Sequence, residues 1–139
     1  MMPAVMLTDD ELLTAFRDTS LPSELFHHEQ HVRVAWLFVT QYGMPDALRE
    51  FPNALKRFAD AKGATTLYHT TITWAYLLLI HERQTREPAR DWPTFAAANP
   101  DLLQWKPSVL DRLYTRETLT SDVAKRVFVL PDAGTFSTR

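Results

Sequence analysis

The chain has 139 residues, 45% of them hydrophobic, a size that suits a single domain with its own core. Its net charge of −2 without a basic cluster lacks the footprint of a nucleic-acid binder, and the absence of cysteine excludes disulfides, thiolate metal sites and cysteine nucleophiles. The longest apolar run, Ile72 to Ile80, is shorter than the ~20 residues that a membrane span needs. Because the N-terminus also lacks the pattern of a signal peptide, we expect one cytoplasmic domain over residues 1–139.

Capping residues and the spacing of apolar side chains predict an all-α chain. Four longer helices are expected: one from a cap at Thr8 to about Phe16 or Arg17, one starting between Ser23 and His28 and ending before Gly43, one from Met44-Pro45-Asp46 to Lys62, and one from Leu67 to about Gln84. Thr65 or Thr66 is the expected cap of the fourth. Pro52 predicts a kink in the third helix near Leu48, or its division in two. Shorter helices are expected over 92–98, 107–114 and 122–127.

The second and fourth helices should occupy the centre, since both contain segments that are apolar all round. Short connections make neighbouring helices antiparallel, so these two should run in the same direction. An isolated strand at residues 127–130 would have no partner, and no sheet is predicted. We therefore expect a compact up-down helical bundle with short C-terminal helices packed on it.

Three histidines lie where the two central helices begin. His28 and His31 are at positions i and i+3, on a stripe that continues to Ala35, and His69 is near the start of the fourth helix. Both starts should lie at the same end of the bundle, so the imidazoles can meet across the ~8–10 Å between packed helix axes. His27 points about 100° away around its helix, where a surface role is expected.

Three neutral imidazoles form a suitable ligand set for Zn, Fe, Ni or Cu and leave a position open for water or substrate. Helix N-termini favour neutral histidine and an anionic ligand. We therefore predict His28, His31 and His69 as metal ligands of a small metal-dependent enzyme whose metal-bound water acts on a small, anionic substrate. Thr73 is one turn beyond His69, faces the same way and is a predicted ligand contact.

Two alternatives stay open: a non-catalytic module that binds a small molecule or a partner, and a metal-free enzyme with a histidine as general base. Known motifs do not decide between them. The zincin pattern fails because Glu29 follows the second histidine of the run, not the first. The Glu24-x-x-His27 element of di-iron bundles occurs once, although those sites need it twice. No catalytic residue is assigned, and a homodimer is left open.

Several segments together are similar to a known sequence pattern. They are Phe26-x-His28-x-x-His31-x-Arg33-x-Ala35-Trp36, Tyr68-His69-x-Thr71-x-Thr73, Tyr114-Thr115-Arg116-Glu117-x-Leu119-x-Ser121-Asp122-x-Ala124-Lys125, and Pro131-Asp132. In this combination the chain resembles a family of small bacterial helical proteins that brings no activity with it. The resemblance implies a helical domain and points to the same three histidines.

The segment from Tyr114 to Pro131, which carries part of this pattern, has two interpretations. It closes over the site with Tyr114, Arg116 and Ser121 contacting the ligand, or it is a capped helix docked on the bundle. The second is the more usual role of such a segment.

Overall fold

The structure is a computed structural model that describes residues 7–133. Its seven α-helices in this part of the chain are α1 (Asp9–Arg17), α2 (His28–Tyr42), α3 (Asp46–Ala61), α4 (Thr70–Arg86), α5 (Trp92–Ala98), α6 (Arg116–Leu119) and α7 (Asp122–Arg126). Short 3-10 turns lie at Ser23–Leu25, Thr65–Leu67, Pro100–Leu103 and Val109–Arg112. No strand occurs within residues 7–133, and the predicted all-α bundle is confirmed.

The core is centred on α2. Every residue from Val32 to Val39 is buried, as the all-round apolar pattern predicts. Arg33 lies within this stretch, and its guanidinium pairs with Asp9 at 2.8 Å and donates to the carbonyl of Leu7 at 2.9 Å. A charge this deep is tolerated because it is paired and hydrogen-bonded.

Phenylalanine rings join the first three helices. Phe16 of α1 lies 6.2 Å from Phe38 of α2 and 5.3 Å from Phe58 of α3, measured between ring centroids. Phe26, which precedes α2, adds a further ring 5.2 Å from Phe16. Since buried aromatic rings bring a large apolar area into the core, this cluster holds α1 against α2 and α3.

The two central helices run in the same direction. The first turns of α2 and α4 line one cavity together with the second half of α3. Further along both helices, the indole nitrogen of Trp36 donates to the side-chain oxygen of Gln84 at 3.0 Å. The alternation of directions along α2, α3 and α4 therefore follows the sequence prediction. None of the helices in residues 7–133 combines the length and apolarity needed to cross a bilayer.

The C-terminal segment packs on α4, also as expected. Thr71 is fully buried, and its hydroxyl donates to the carbonyl of Val127 at 2.8 Å and accepts from the amide of Val129 at 3.1 Å. The hydroxyl of Tyr114 donates to the carbonyl of Val129 at 2.7 Å. These bonds give the backbone beyond α7 the partners that a sheet would otherwise supply.

The start of α4 differs from the prediction. The helix begins at Thr70 and ends at Arg86, whereas the sequence predicts a range from Leu67 to about Gln84. His69 is the N-cap, because its Nδ1 accepts from the amide of Ile72 at 3.1 Å. A capping imidazole competes with the more usual threonine cap, and the expected caps Thr65 and Thr66 belong to a separate 3-10 turn.

Three smaller differences concern helix length. Of the two outcomes predicted for Pro52, the division of the third helix does not occur and the kink stays a prediction, since α3 continues through Pro52 with Phe51, Pro52 and Ala54 buried on its apolar face. Packing of that face outweighs the hydrogen bond that proline removes. Of the helix expected over 107–114, only the 3-10 turn Val109–Arg112 forms. The four-residue helix α6 has no counterpart in the prediction.

Candidate functional site

A cavity of about 590 Å³ opens between α2, α3 and α4. Most side chains of its wall are apolar, among them Phe26, Phe51, Leu55, Phe58 and Ile72. Leu67 and Trp105 also belong to the wall, yet they are 78% and 45% exposed, so they mark the opening to solvent. Small-molecule sites typically have volumes of about 300–1,000 Å³ and apolar walls with a few polar groups.

The three predicted histidines meet at this cavity. His28 and His31 line it from the first turn of α2, and His69 lines it from the residue before α4. His27 is exposed and lies outside the wall. The prediction that imidazoles from distant parts of the chain share one pocket therefore agrees with the structure, and their hydrogen bonds show what each ring can do there.

The ring of His69 uses both of its nitrogens within the protein. Nδ1 caps α4, and Nε2 donates to the carbonyl of Leu119 at 2.7 Å. This pair of bonds fixes the tautomer, with the proton on Nε2. His69 therefore joins the start of α4 to the end of α6 and has no nitrogen left for a ligand in this arrangement.

The ring of His28 uses one nitrogen. Nε2 donates to the carbonyl of Leu102 at 2.9 Å, and the ring lies edge-on to Tyr76 with centroids 5.2 Å apart. Burial lowers the pKa of His28, against the opposing effect of the Leu102 carbonyl. With Nε2 protonated, Nδ1 is left as an acceptor.

The ring of His31 is held by stacking alone. It lies on Phe26 with ring centroids 3.8 Å apart, and it forms no hydrogen bond to any residue that the structure describes. Burial, followed by the charges of His28 and His27, lowers the pKa of His31 to about 4. At neutral pH the imidazole is therefore uncharged and offers one N–H donor and one nitrogen acceptor to the cavity.

The placement of these rings does not match a three-histidine metal centre as it stands. Within residues 7–133, no three or more His, Asp or Glu side chains are grouped so that they could hold a metal ion. His69 would have to release either the Ile72 amide or the Leu119 carbonyl to become a ligand. Metal ligation by His28, His31 and His69 stays a prediction.

The other predicted contacts divide between the cavity and the C-terminal segment. Thr73 lines the cavity, but its hydroxyl donates to the backbone carbonyl of His69 at 2.7 Å. Tyr114 is 2% exposed and bonded to Val129, and neither it nor the exposed Arg116 lies in the wall. Ser121 caps α7. These contacts match the docked-helix interpretation of the segment, and ligand contacts of Tyr114 and Arg116 stay predictions.

Three further residues, which were not predicted from the sequence, also line the cavity: Lys62, Tyr68 and Tyr76. Lys62 directly follows α3, at the level where α2 and α4 begin. The antiparallel arrangement that brings the histidines together also places the end of the third helix at the same site. Lys62 could have been identified from this arrangement. Tyr76 follows from helical spacing, since it lies one turn beyond Thr73.

In comparisons with known proteins, no family model, curated sequence or solved structure matches this chain. The resemblance to small bacterial helical proteins accordingly stays a prediction. Conclusions about function rest on the cavity and its side chains.

Proposed function

We propose that this protein binds a small, largely apolar molecule in the cavity between α2, α3 and α4. The observation that carries the proposal is the combination of an apolar wall with a neutral imidazole that has no hydrogen bond to any of the residues described, 7–133. Two of the three histidines that line the cavity are engaged by backbone carbonyls. His31 is the histidine of the three whose two ring nitrogens are both available to a ligand, whereas His28 keeps only Nδ1 as an acceptor.

The imidazole of His31 requires a polar group at the point where the ligand lies beside it. A neutral imidazole both donates and accepts, and a polar group that loses water without gaining a partner costs about 1–3 kcal/mol. A ligand with one hydroxyl, carbonyl or carboxyl group near His31 restores that partner, while its apolar remainder covers rings such as Phe26 and Phe58. This division between one polar contact and an apolar body is typical of small-molecule sites.

Binding is testable with the neutral fluorescent probe N-phenyl-1-naphthylamine. We expect saturable binding with blue-shifted emission, since the probe moves from water into an apolar site. Ala59 lines the cavity, and the exposed Ala61 of the same helix lies outside it. Ala59→Phe should weaken the affinity about tenfold or more because the larger side chain occupies part of the cavity, whereas Ala61→Phe should leave it within about twofold.

Both variants need the circular dichroism spectrum of the wild type, which shows that α3 is intact. Emission that rises without saturating would contradict the proposal. So would equal affinity of the Ala59→Phe and Ala61→Phe proteins, because the probe would then bind elsewhere.

The metal-dependent enzyme of the sequence analysis remains the second candidate, because all three histidines reach one cavity. A metal held there would supply an activated water. Metal analysis of untagged protein, with and without added Zn, Fe, Ni or Cu salts, separates the candidates. About one equivalent of metal that disappears in a folded His69→Ala variant would favour the enzyme. Absence of metal and of any stabilisation by these salts would favour the binding protein.

A further inference from the structure

The cavity wall has an uneven distribution of formal charge. Lys62 lies in it, and no Asp or Glu side chain does within the part of the chain that the structure describes. His28 and His31 add no charge at neutral pH, since burial lowers the pKa of both, and Nδ1 of His69 carries no proton because it accepts from the amide of Ile72. The wall therefore carries one formal positive charge in an otherwise uncharged and mainly apolar surface.

The contacts of Lys62 leave its charge available. The side chain is half-buried, and its Nζ lies 5.4 Å from the ring centroid of Phe58, which is itself part of the wall. Lys62 forms no ion pair with any residue in the range 7–133. An aromatic ring stabilises an ammonium group by about 0.5–2 kcal/mol and still leaves it free to accept an anionic partner.

We propose, on the basis of the binding function proposed above, that the ligand is a carboxylic acid with an apolar body. Its carboxylate pairs with the ammonium group of Lys62, and its apolar body lies against the rings and aliphatic side chains of the wall. An amine would meet the charge of Lys62 without any carboxylate to receive it. A neutral alcohol of the same length would bind through its apolar body alone and would forgo the ion pair.

Three ten-carbon probes that differ only in the head group test this assignment: decanoate, decanol and decylamine. Their affinities are measured at pH 7.5 by isothermal titration calorimetry, below the concentrations at which they aggregate. We expect decanoate to bind about three- to tenfold more tightly than decanol. A half-buried ion pair should contribute at least as much to the affinity as the strongest exposed ion pairs do. Decylamine should bind most weakly.

Two lysines provide a matched pair of variants. Lys62→Met removes the charge and keeps an unbranched apolar side chain, so the preference for decanoate over decanol should disappear. Lys56 lies on the same helix with its Nζ 4.9 Å from the ring of Tyr68, but it does not line the cavity. Lys56→Met should therefore keep the preference, as should Lys62→Arg.

The outcomes distinguish this inference from the function on which it rests. If wild-type protein binds decanoate and decanol equally, or if the preference survives in Lys62→Met, the carboxylate assignment is wrong and binding itself stands. Tighter binding of decylamine than of decanoate has the same meaning. If none of the three probes binds, the proposed binding function fails and the carboxylate assignment fails with it.

Discussion

His31 combines two properties: an enclosed ring, and ring nitrogens without a hydrogen-bond partner among residues 7–133. His31 lies in the first turn of α2 and lines the cavity, and stacking on Phe26 holds its ring in place. Enclosure disfavours the charged form of the ring, which lowers its pKa. Protonation of His31 should therefore destabilise the folded protein.

The pKa of His31 falls from its ordinary value of 6.5 to about 4 in the folded protein. Between these two values the unfolded chain binds more protons than the folded one, so stability is fully present above about pH 6.5 and declines as the pH falls toward 4. The free energy of unfolding should drop by about 1–2 kcal/mol from pH 7.5 to pH 5, since each pKa unit corresponds to ~1.4 kcal/mol. Urea denaturation at the two pH values measures this change.

His31→Phe should remove most of this pH dependence and leave the smaller part that comes from His28, whose pKa burial also lowers. His27→Gln is the comparison: it removes only the smallest of the causes that lower the pKa of His31, so this variant should keep most of the decline. A wild-type stability that is equal at both pH values, or a His31→Phe protein with the full decline, would show that His31 titrates normally in the folded state.

Part of the histidine site could be predicted from the sequence, and part of it could not. Helical spacing and the alternation of helix directions were sufficient to bring His28, His31 and His69 to one pocket. The hydrogen-bond partners of His28 and His69 could not be predicted from the sequence, because the carbonyls of Leu102 and Leu119 are far along the chain, near the ends of short helical turns. Ligand availability depends on those partners, and so the sequence could not distinguish a capping histidine from a metal ligand.

Among the secondary-structure elements, α4 begins with residues of low helix propensity. Its first turn holds three threonines, which are mediocre helix formers, and the sequence indicated that packing or hydrogen bonding explains them. The structure confirms this: Thr70 donates to the carbonyl of Arg126 at 3.2 Å, and Thr71 bonds to both Val127 and Val129. The first turn of α4 is therefore the anchor of the C-terminal segment.

Thr71→Val tests this anchor, since valine has nearly the shape of threonine but no hydroxyl. The change leaves the carbonyl of Val127 and the amide of Val129 without the hydroxyl of a fully buried side chain, and we expect a loss of about 1–3 kcal/mol in the free energy of unfolding. Thr70→Val is the matched control; its single bond is less enclosed, and a loss of at most about 1 kcal/mol is expected. Urea denaturation of both variants gives the two values, and equal losses would contradict the anchoring role of Thr71.

The elements of the bundle differ in how well their sequences define them. Where a capping box or a glycine marks an end, as at Thr8 and Gly43, the predicted and observed boundaries agree. Where tertiary contacts decide, they diverge: His69 replaces a threonine cap, and α3 passes through Pro52 without a break. Local signals specify a boundary only when no packing interaction of similar energy competes with them.

For the molecule as a whole, polar contacts join α2 to α1 and to α4, and join α4 to the C-terminal segment. Arg33 and Asp9 connect α2 to α1 at 2.8 Å, and Trp36 connects α2 to Gln84 of α4 at 3.0 Å. The bonds of Thr71 continue this series to the C-terminal segment. Since these contacts connect the helices to one another, we expect the chain to behave as the single domain that its length suggests, with all parts unfolding together.

Equilibrium unfolding in urea should accordingly give one transition, with coincident curves from far-ultraviolet circular dichroism and from tryptophan emission and an m value of about 1–3 kcal/mol/M. The two probes report different regions: circular dichroism follows the helices, while Trp74 stacks on Phe128 of the C-terminal segment with ring centroids 5.5 Å apart. Trp74→Phe removes that reporter and should leave the emission midpoint unchanged. An emission change at lower urea than the loss of helix, absent in the Trp74→Phe protein, would mean that the C-terminal segment detaches first and that the bundle folds without it.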